Sequence, residues 1–193
     1  MSTAAAEPAL PRATARRWRL VAFAWGLAEA TLFFVVPDVW ITRVALRSRR
    51  EALRCVALAA AGAVVGGAVV YLWASRDPAA VRAAFDALPA IAPSLIDQAG
   101  AAWQRHGALA PLLGAFSGVP YKLYAAHAPD ALALGTFLLL SVPVRALRFL
   151  VLALLAAAIA RRATPRFGAR KVLAAWALAW AANYALYWSL MPN

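Results

Sequence analysis

The chain is 193 residues long, 64% hydrophobic and only 15% charged. A soluble domain of this size cannot bury that much apolar surface, so a bilayer is the expected solvent. The net charge of +12 does not point to nucleic acid, because the basic residues sit in blocks beside apolar runs, as membrane-flanking loops do. The single cysteine, Cys55, excludes an intrachain disulfide and a thiolate metal cluster.

Residues 1–19 read as a disordered basic tail, and 20–193 as one integral membrane domain. The tail is not a cleaved signal: the apolar run continues through Val36 and puts Glu29 inside the loose "AEA" cleavage-site match. Apolar blocks follow at 20–41, 55–74, about 107–160 and 172–190. A helix needs roughly 20 apolar residues to span. Block 55–74 qualifies, and its Gly62 and Gly66 form a small-xxx-small face that permits a homodimer without requiring one. Block 172–190 also qualifies, with its aromatics weighted to the C-terminal half. Pro111, Pro120, Pro129 and Pro143 cut the long middle block into several elements.

Arginine placement tests the topology. Clusters at 12–19, 43–54 and 161–171 hold four or five basic residues each against a single acid, Glu51, whereas in 75–106 three arginines are matched by Asp77, Asp86 and Asp97. Positive residues favour the cytoplasmic side, so the three clusters belong inside and 75–106 outside. The first two clusters share a side only if 20–41 enters and leaves by one face, with Trp18 and Trp40 as interface anchors at its two ends. The competing reading is that its 22 residues simply span. Similar parity makes 107–128 a second re-entrant segment before a crossing at 131–160, and leaves the C-terminus outside. The expected fold is therefore an all-α polytopic membrane protein with two oppositely oriented re-entrant hairpins, each followed by a spanning helix, in an inverted-repeat arrangement. Segment 93–106 reads as an interfacial helix leading into the second hairpin.

Charges at membrane depth are functional candidates by default. Glu29 lies mid-block. Asp38 is nine residues on, half a turn away on a straight helix, so a break at Pro37 is what could bring both acids to one cavity. The bland reading of Asp38 is a headgroup-level cap for the segment starting at Val39. The second hairpin repeats the Val-Pro break at Pro120, followed by Lys122, which either serves a site or snorkels outward. Arg145 and Arg148, three apart and on one helical face, are buried if one helix covers 131–160, and snorkel if it starts at Pro143. His106 and His127 stand alone, so no metal site is expected. No nucleophile elbow, P-loop or dinucleotide fingerprint is found, so neither a cofactor nor an enzyme activity is expected.

Three stretches carry a family resemblance: "EATLFFVVPD" at 29–38, "GAVVGGAVVYLWA" at 62–74, and "GVPYKLYAAHA" with "FLLLSVPVRALRFLV" within 118–151. In them the sequence resembles the DedA family of the VTT (SNARE-associated Golgi protein) superfamily, in particular its short YqaA-like branch. The resemblance implies two opposed re-entrant hairpins in a bacterial inner membrane. It also implies Glu29 and Asp38 as proton- or ion-coupling acids, Lys122, Arg145 and Arg148 as headgroup-binding cations, and movement of phospholipids or polyprenyl phosphates between leaflets. Phe34 and Val36 stand where the family favours proline, Phe116 near a usual arginine, "AAHAPD" where a glycine usually follows, and Val144 in place of a glycine. These departures touch substrate identity more than fold.

The expectation is a transporter-like protein that moves an anionic lipid headgroup, with membrane lipids as partners and protons as a permitted co-substrate. The rival expectations are a proton-coupled small-ion or solute antiporter and a non-transporting membrane scaffold.

Overall fold

The computed structural model describes residues 11–89, 91–115 and 117–190, and among them the regular structure is all helical, with no strand. The helices are α1 (Arg12–Glu29), α2 (Asp38–Ala45), α3 (Arg49–Ala74), α4 (Pro78–Asp86), α5 (Pro93–His106), α6 (Ala110–Gly114), α7 (Tyr121–His127), α8 (Leu134–Phe167) and α9 (Ala169–Leu190). Two of them, α3 and α8, are long and apolar enough to cross a membrane. At 1.5 Å per residue they measure about 39 and 51 Å, against a hydrocarbon core of about 30 Å. The 22-residue α9, expected to span, is not among them.

The N-terminal expectation needs correction. Helix α1 begins at Arg12, inside the segment read as a disordered tail. Its run of Ala, Arg and Leu is helix-forming composition, which the Ala- and Pro-rich start of the chain obscured. Residues 1–10 lie outside the described residues.

The apolar run 20–41 does not continue as one helix. It stops at Glu29 and resumes at Asp38, with Pro37 at the start of α2. The two legs lie antiparallel: the Trp40 indole N–H donates to the Trp18 carbonyl at 3.0 Å, and Trp25 donates to the Val35 carbonyl at 2.8 Å. A straight helix would hold Trp18 and Trp40 about 33 Å apart. The chain therefore doubles back, and the two tryptophans meet each other directly.

A second reversal brings α7 back against α5 and α6. Gly118 sits at φ +86°, a left-handed conformation that favours glycine. Pro120 immediately precedes α7. The Trp103 indole donates to the Tyr124 carbonyl at 3.0 Å and Gly114 lies against the Tyr124 ring. Helix α5 turns Leu95, Ile96 and Trp103 into the protein core, so the apolar face expected to rest in the interface is covered by protein.

Helices α3 and α8 run antiparallel. Tyr71 stacks on Phe137 and bonds the Leu132 carbonyl, while Phe149 and Ala153 share a core with Ala52, Cys55 and Val56. This brings the end of α8 back to the start of α3. There Arg19 of α1 grips Glu51 of α3 through two 3.0 Å bonds, and Arg54 joins them. All three basic clusters consequently occupy one end of the molecule, and the aspartate-bearing segment 75–106 lies beyond the other end of α3.

Apolar and polar residues are distributed inside out. Leu139, Val142, Leu147, Leu155 and Ile159 of α8 face outward, whereas Ser141 and Arg145 of the same helix are buried. Apolar exposure on this scale marks a surface meant for something other than water.

Gly62 and Gly66 do not offer a dimer face. A methyl group at either would overlap the α1 backbone, at the Phe23 and Leu27 carbonyls respectively. The small-residue stripe is consumed in letting α1 and α3 approach backbone to backbone. Gly62→Ala is expected to cost about 1–3 kcal/mol by overpacking, read as a lowered melting temperature in detergent. Gly135→Ala, where nothing lies within 4 Å, should leave stability unchanged or slightly raised.

Candidate functional site

A proline-broken helix in an apolar environment leaves backbone groups that lipid cannot satisfy. At the first break, side chains from three other elements take up that role. The Lys122 ammonium donates to the Phe33 carbonyl at 2.7 Å, the Trp25 indole donates to that of Val35, and the Val36 N–H donates to the Tyr184 hydroxyl at 2.9 Å. The break thus becomes a fixed meeting point for α1, α7 and α9.

Around it the structure gathers all five ionisable residues singled out by sequence. Glu29, at the end of α1, is 3% exposed and paired with Arg145 of α8. Asp38, the first residue of α2, is fully buried and paired with Arg148 of α8 at 2.8 Å. A pitch of 3.6 residues per turn puts Arg145 and Arg148 on one face of α8, so that face clasps both legs of the first reversal. The helix runs through Pro143, which removes the snorkelling alternative for both arginines. The capping alternative for Asp38 also fails, because its side chain caps nothing in α2. Lys122 is 1% exposed and does not snorkel. Pro37 and Pro120 each sit just before the helix that follows the break.

Arg145 is held further than its carboxylate alone requires. Its guanidinium carbon lies 4.8 Å from the Tyr121 ring centroid and 4.7 Å from that of Phe149, a cation–π sandwich that partly replaces lost hydration. Tyr121 is fixed in turn by its 2.7 Å bond to Ser141, whose hydroxyl donates to the Phe137 carbonyl. Arg145 Nε and Asp38 Oδ1 are the two buried side-chain polar atoms without a hydrogen-bond partner among the described residues.

Glu29, Lys122 and Arg148 line a cavity of about 360 Å³, together with Gly118, Pro120 and Tyr184. Arg145 and Asp38 stand behind that wall, each gripping a residue that forms it. The cluster therefore divides into a positioning pair and a cavity-facing set. As ionised groups, three cations meet two carboxylates. Lys122 is the one of the three with no carboxylate within ion-pair distance among the described residues, and its hydrogen bond goes to a neutral carbonyl. Burying a charge costs several kcal/mol unless an opposite charge meets it, so the arrangement is short of one anion. A tetrahedral oxyanion is the chemical complement of an arginine fork beside a lysine.

Sequence reasoning missed the contribution of α9, whose Trp180, Asn183, Tyr184 and Tyr187 close the cavity. Those aromatics look like an interfacial belt when taken as composition. Their four-residue spacing, Trp176–Trp180–Tyr184, is the signal that one face meets protein. Both indoles donate to the Thr42 hydroxyl of α2, at 3.0 and 3.2 Å, and that hydroxyl donates to the Asp38 carbonyl. Phe116 lies outside the described residues.

Removing one partner of the innermost pair should expose how it is held. Glu29→Ala strands Arg145 and is expected to cost about 3–5 kcal/mol, while Glu29→Leu combined with Arg145→Met recovers most of that loss. Breaking the exposed Arg82–Asp97 pair should change stability by less than about 1 kcal/mol. Thermal unfolding of wild type and of these three purified variants checks both statements.

No protein-family profile, curated protein or solved structure matches this chain.

Proposed function

We propose that this protein is a transporter-like membrane protein that carries an anionic lipid headgroup, a phospholipid or polyprenyl phosphate, between leaflets. The observation that carries the reading is the buried Lys122, bonded to a carbonyl and facing the same cavity as Arg148. A phosphate entering there supplies the missing countercharge. In this reading the two chain reversals are re-entrant hairpins that enter from opposite faces. The antiparallel α3 and α8 that follow them make the inverted repeat, and the basic end faces the cytoplasm. The likeness of 29–38, 62–74 and 118–151 to the DedA family supports the same membrane arrangement.

Mechanism follows from competition for cations. When the cavity is empty, Asp38 holds Arg148 by one oxygen, and its other oxygen has no partner. A proton on that carboxylate weakens its hold on Arg148, and the freed guanidinium can grip the phosphate by its fork. Loss of the proton restores the ion pair and expels the anion. The Glu29–Arg145 pair lies deeper and keeps the hairpin tip in register with α8 throughout. Ligand and proton shift one equilibrium because they act on the same charges.

The unpartnered Asp38 oxygen also supports a second reading, a proton-coupled antiporter for a soluble anion. Proton flux driven by a soluble anion, with no headgroup movement, would favour it over lipid transport. A pure scaffold predicts neither flux nor exchange.

Exchange of a labelled anionic phospholipid between leaflets of reconstituted vesicles is the test. Wild type should exceed empty vesicles, and Lys122→Met should lower the rate about ten- to a hundred-fold, the worth of a charged hydrogen bond. A folded Asp38→Asn protein that exchanges lipid at the wild-type rate at every pH would contradict the mechanism.

A further inference from the structure

A second cavity, larger than the polar one, runs along the outside of the site. It measures about 640 Å³ and lies between α2, α8 and α9, with Leu155, Ile159, Ala175 and Trp176 among its lining residues. The walls are almost wholly apolar, since the Trp176 and Trp180 N–H groups are turned onto Thr42. At one end Leu152 and Trp180 belong to this groove and to the polar cavity alike. At the other end it is closed by Phe167 and Lys171, where Gly168, at φ +82°, turns α8 into α9. Lys171 is exposed there with Arg166 and Arg170, and none of the three is in an ion pair among the described residues.

We infer that this groove is the docking site for one anionic lipid of the leaflet at the basic end, its phosphate on Lys171 and Arg170 and one hydrocarbon chain along α8 and α9. Length supports the assignment. From Leu152 to Phe167 α8 rises about 22 Å, close to half of a whole bilayer of about 40–45 Å. A lipid held so has its head at the surface and its chain end beside the polar cavity. Charge supports it too, because a two-fold copy of this chain seated on the same groove would bring two basic rims together. The assignment rests on the membrane reading above and adds to it a waiting site, distinct from the site at Lys122 and Arg148.

The measurement uses the full-length protein in bilayers of unbrominated phosphatidylcholine, doped with either mid-chain brominated phosphatidylglycerol or mid-chain brominated phosphatidylcholine. Bromine on a chain in the groove quenches Trp176 and Trp180. The anionic probe should quench at roughly ten-fold lower mole fraction than the neutral one, from one or two basic contacts at the surface. Lys171→Ala on the exposed rim and Ala179→Phe in the groove should each abolish that excess.

Equal quenching by the two probes in wild type overturns the site, and this comparison needs no variant to fold. An excess that persists in folded Ala179→Phe also overturns it, because the lipid is then bound elsewhere. Fluorescence that follows the protein-to-lipid ratio with no anionic excess assigns the groove to a second copy instead. Leaflet exchange without an anionic excess sinks the groove and spares the transport reading. An anionic excess without exchange does the reverse.

Discussion

Five ionisable side chains held out of water at the meeting of two chain reversals set the terms for the rest of this structure. Each ion removed from water costs several kcal/mol, and only good geometry with an opposite charge repays that. The fold supplies the geometry from four directions. Helix α1 brings Glu29, α2 brings Asp38, α7 brings Lys122, and one face of α8 brings both arginines. None of these helices can move far without stranding a charge. Such a cluster is poor at stabilising a fold and well suited to fixing one arrangement of it, or to switching between two.

The broken helices follow from the same constraint. An unbroken helix over 20–41 would point Glu29 and Asp38 to opposite sides, one of them at lipid. The break at 30–37 turns both toward α8, at the cost of free backbone groups, which Lys122, Trp25 and Tyr184 satisfy. Lys122 thereby serves two roles, bracing the hairpin tip and lending a cation to the cavity. An incoming anion must compete only with a neutral carbonyl for that ammonium, which makes Lys122 the readiest cation in the cluster. Arg148 comes next, since a carboxylate holds it. Arg145, clasped by Glu29 and two aromatic rings, is the least available.

Much of this is legible in the amino-acid sequence. Glu29 stood in a run where nothing but a partner could justify it, and Arg145 with Arg148 repeated that signal at helical spacing. The grouping of arginines implied that 12–19 and 43–54 share one end, as the Arg19–Glu51 contact has it. What could not be read is which surfaces face each other. Gly62 and Gly66 announce a close approach without naming the partner, and the partner proves to be α1. The aromatics of α9 gave the same composition for a lipid belt as for a cavity wall. Only their meeting with Thr42, 134 and 138 residues away in sequence, distinguishes the two. The first helix begins earlier than expected because the arginine-rich stretch 12–19 resembles a tail until its alanines are placed on a helix that continues into the apolar run.

In the proposed function the buried cluster takes one phosphate anion through Lys122 and Arg148. Calorimetric titration of the detergent-solubilised protein with a short-chain, water-soluble phosphatidate tests it most directly, with the matching phosphatidylcholine as control. Wild type should bind one phosphatidate per chain more than folded Lys122→Met, and phosphatidylcholine should show no such difference. Equal phosphatidate stoichiometry in wild type and folded Lys122→Met, or the same difference with phosphatidylcholine, would contradict it.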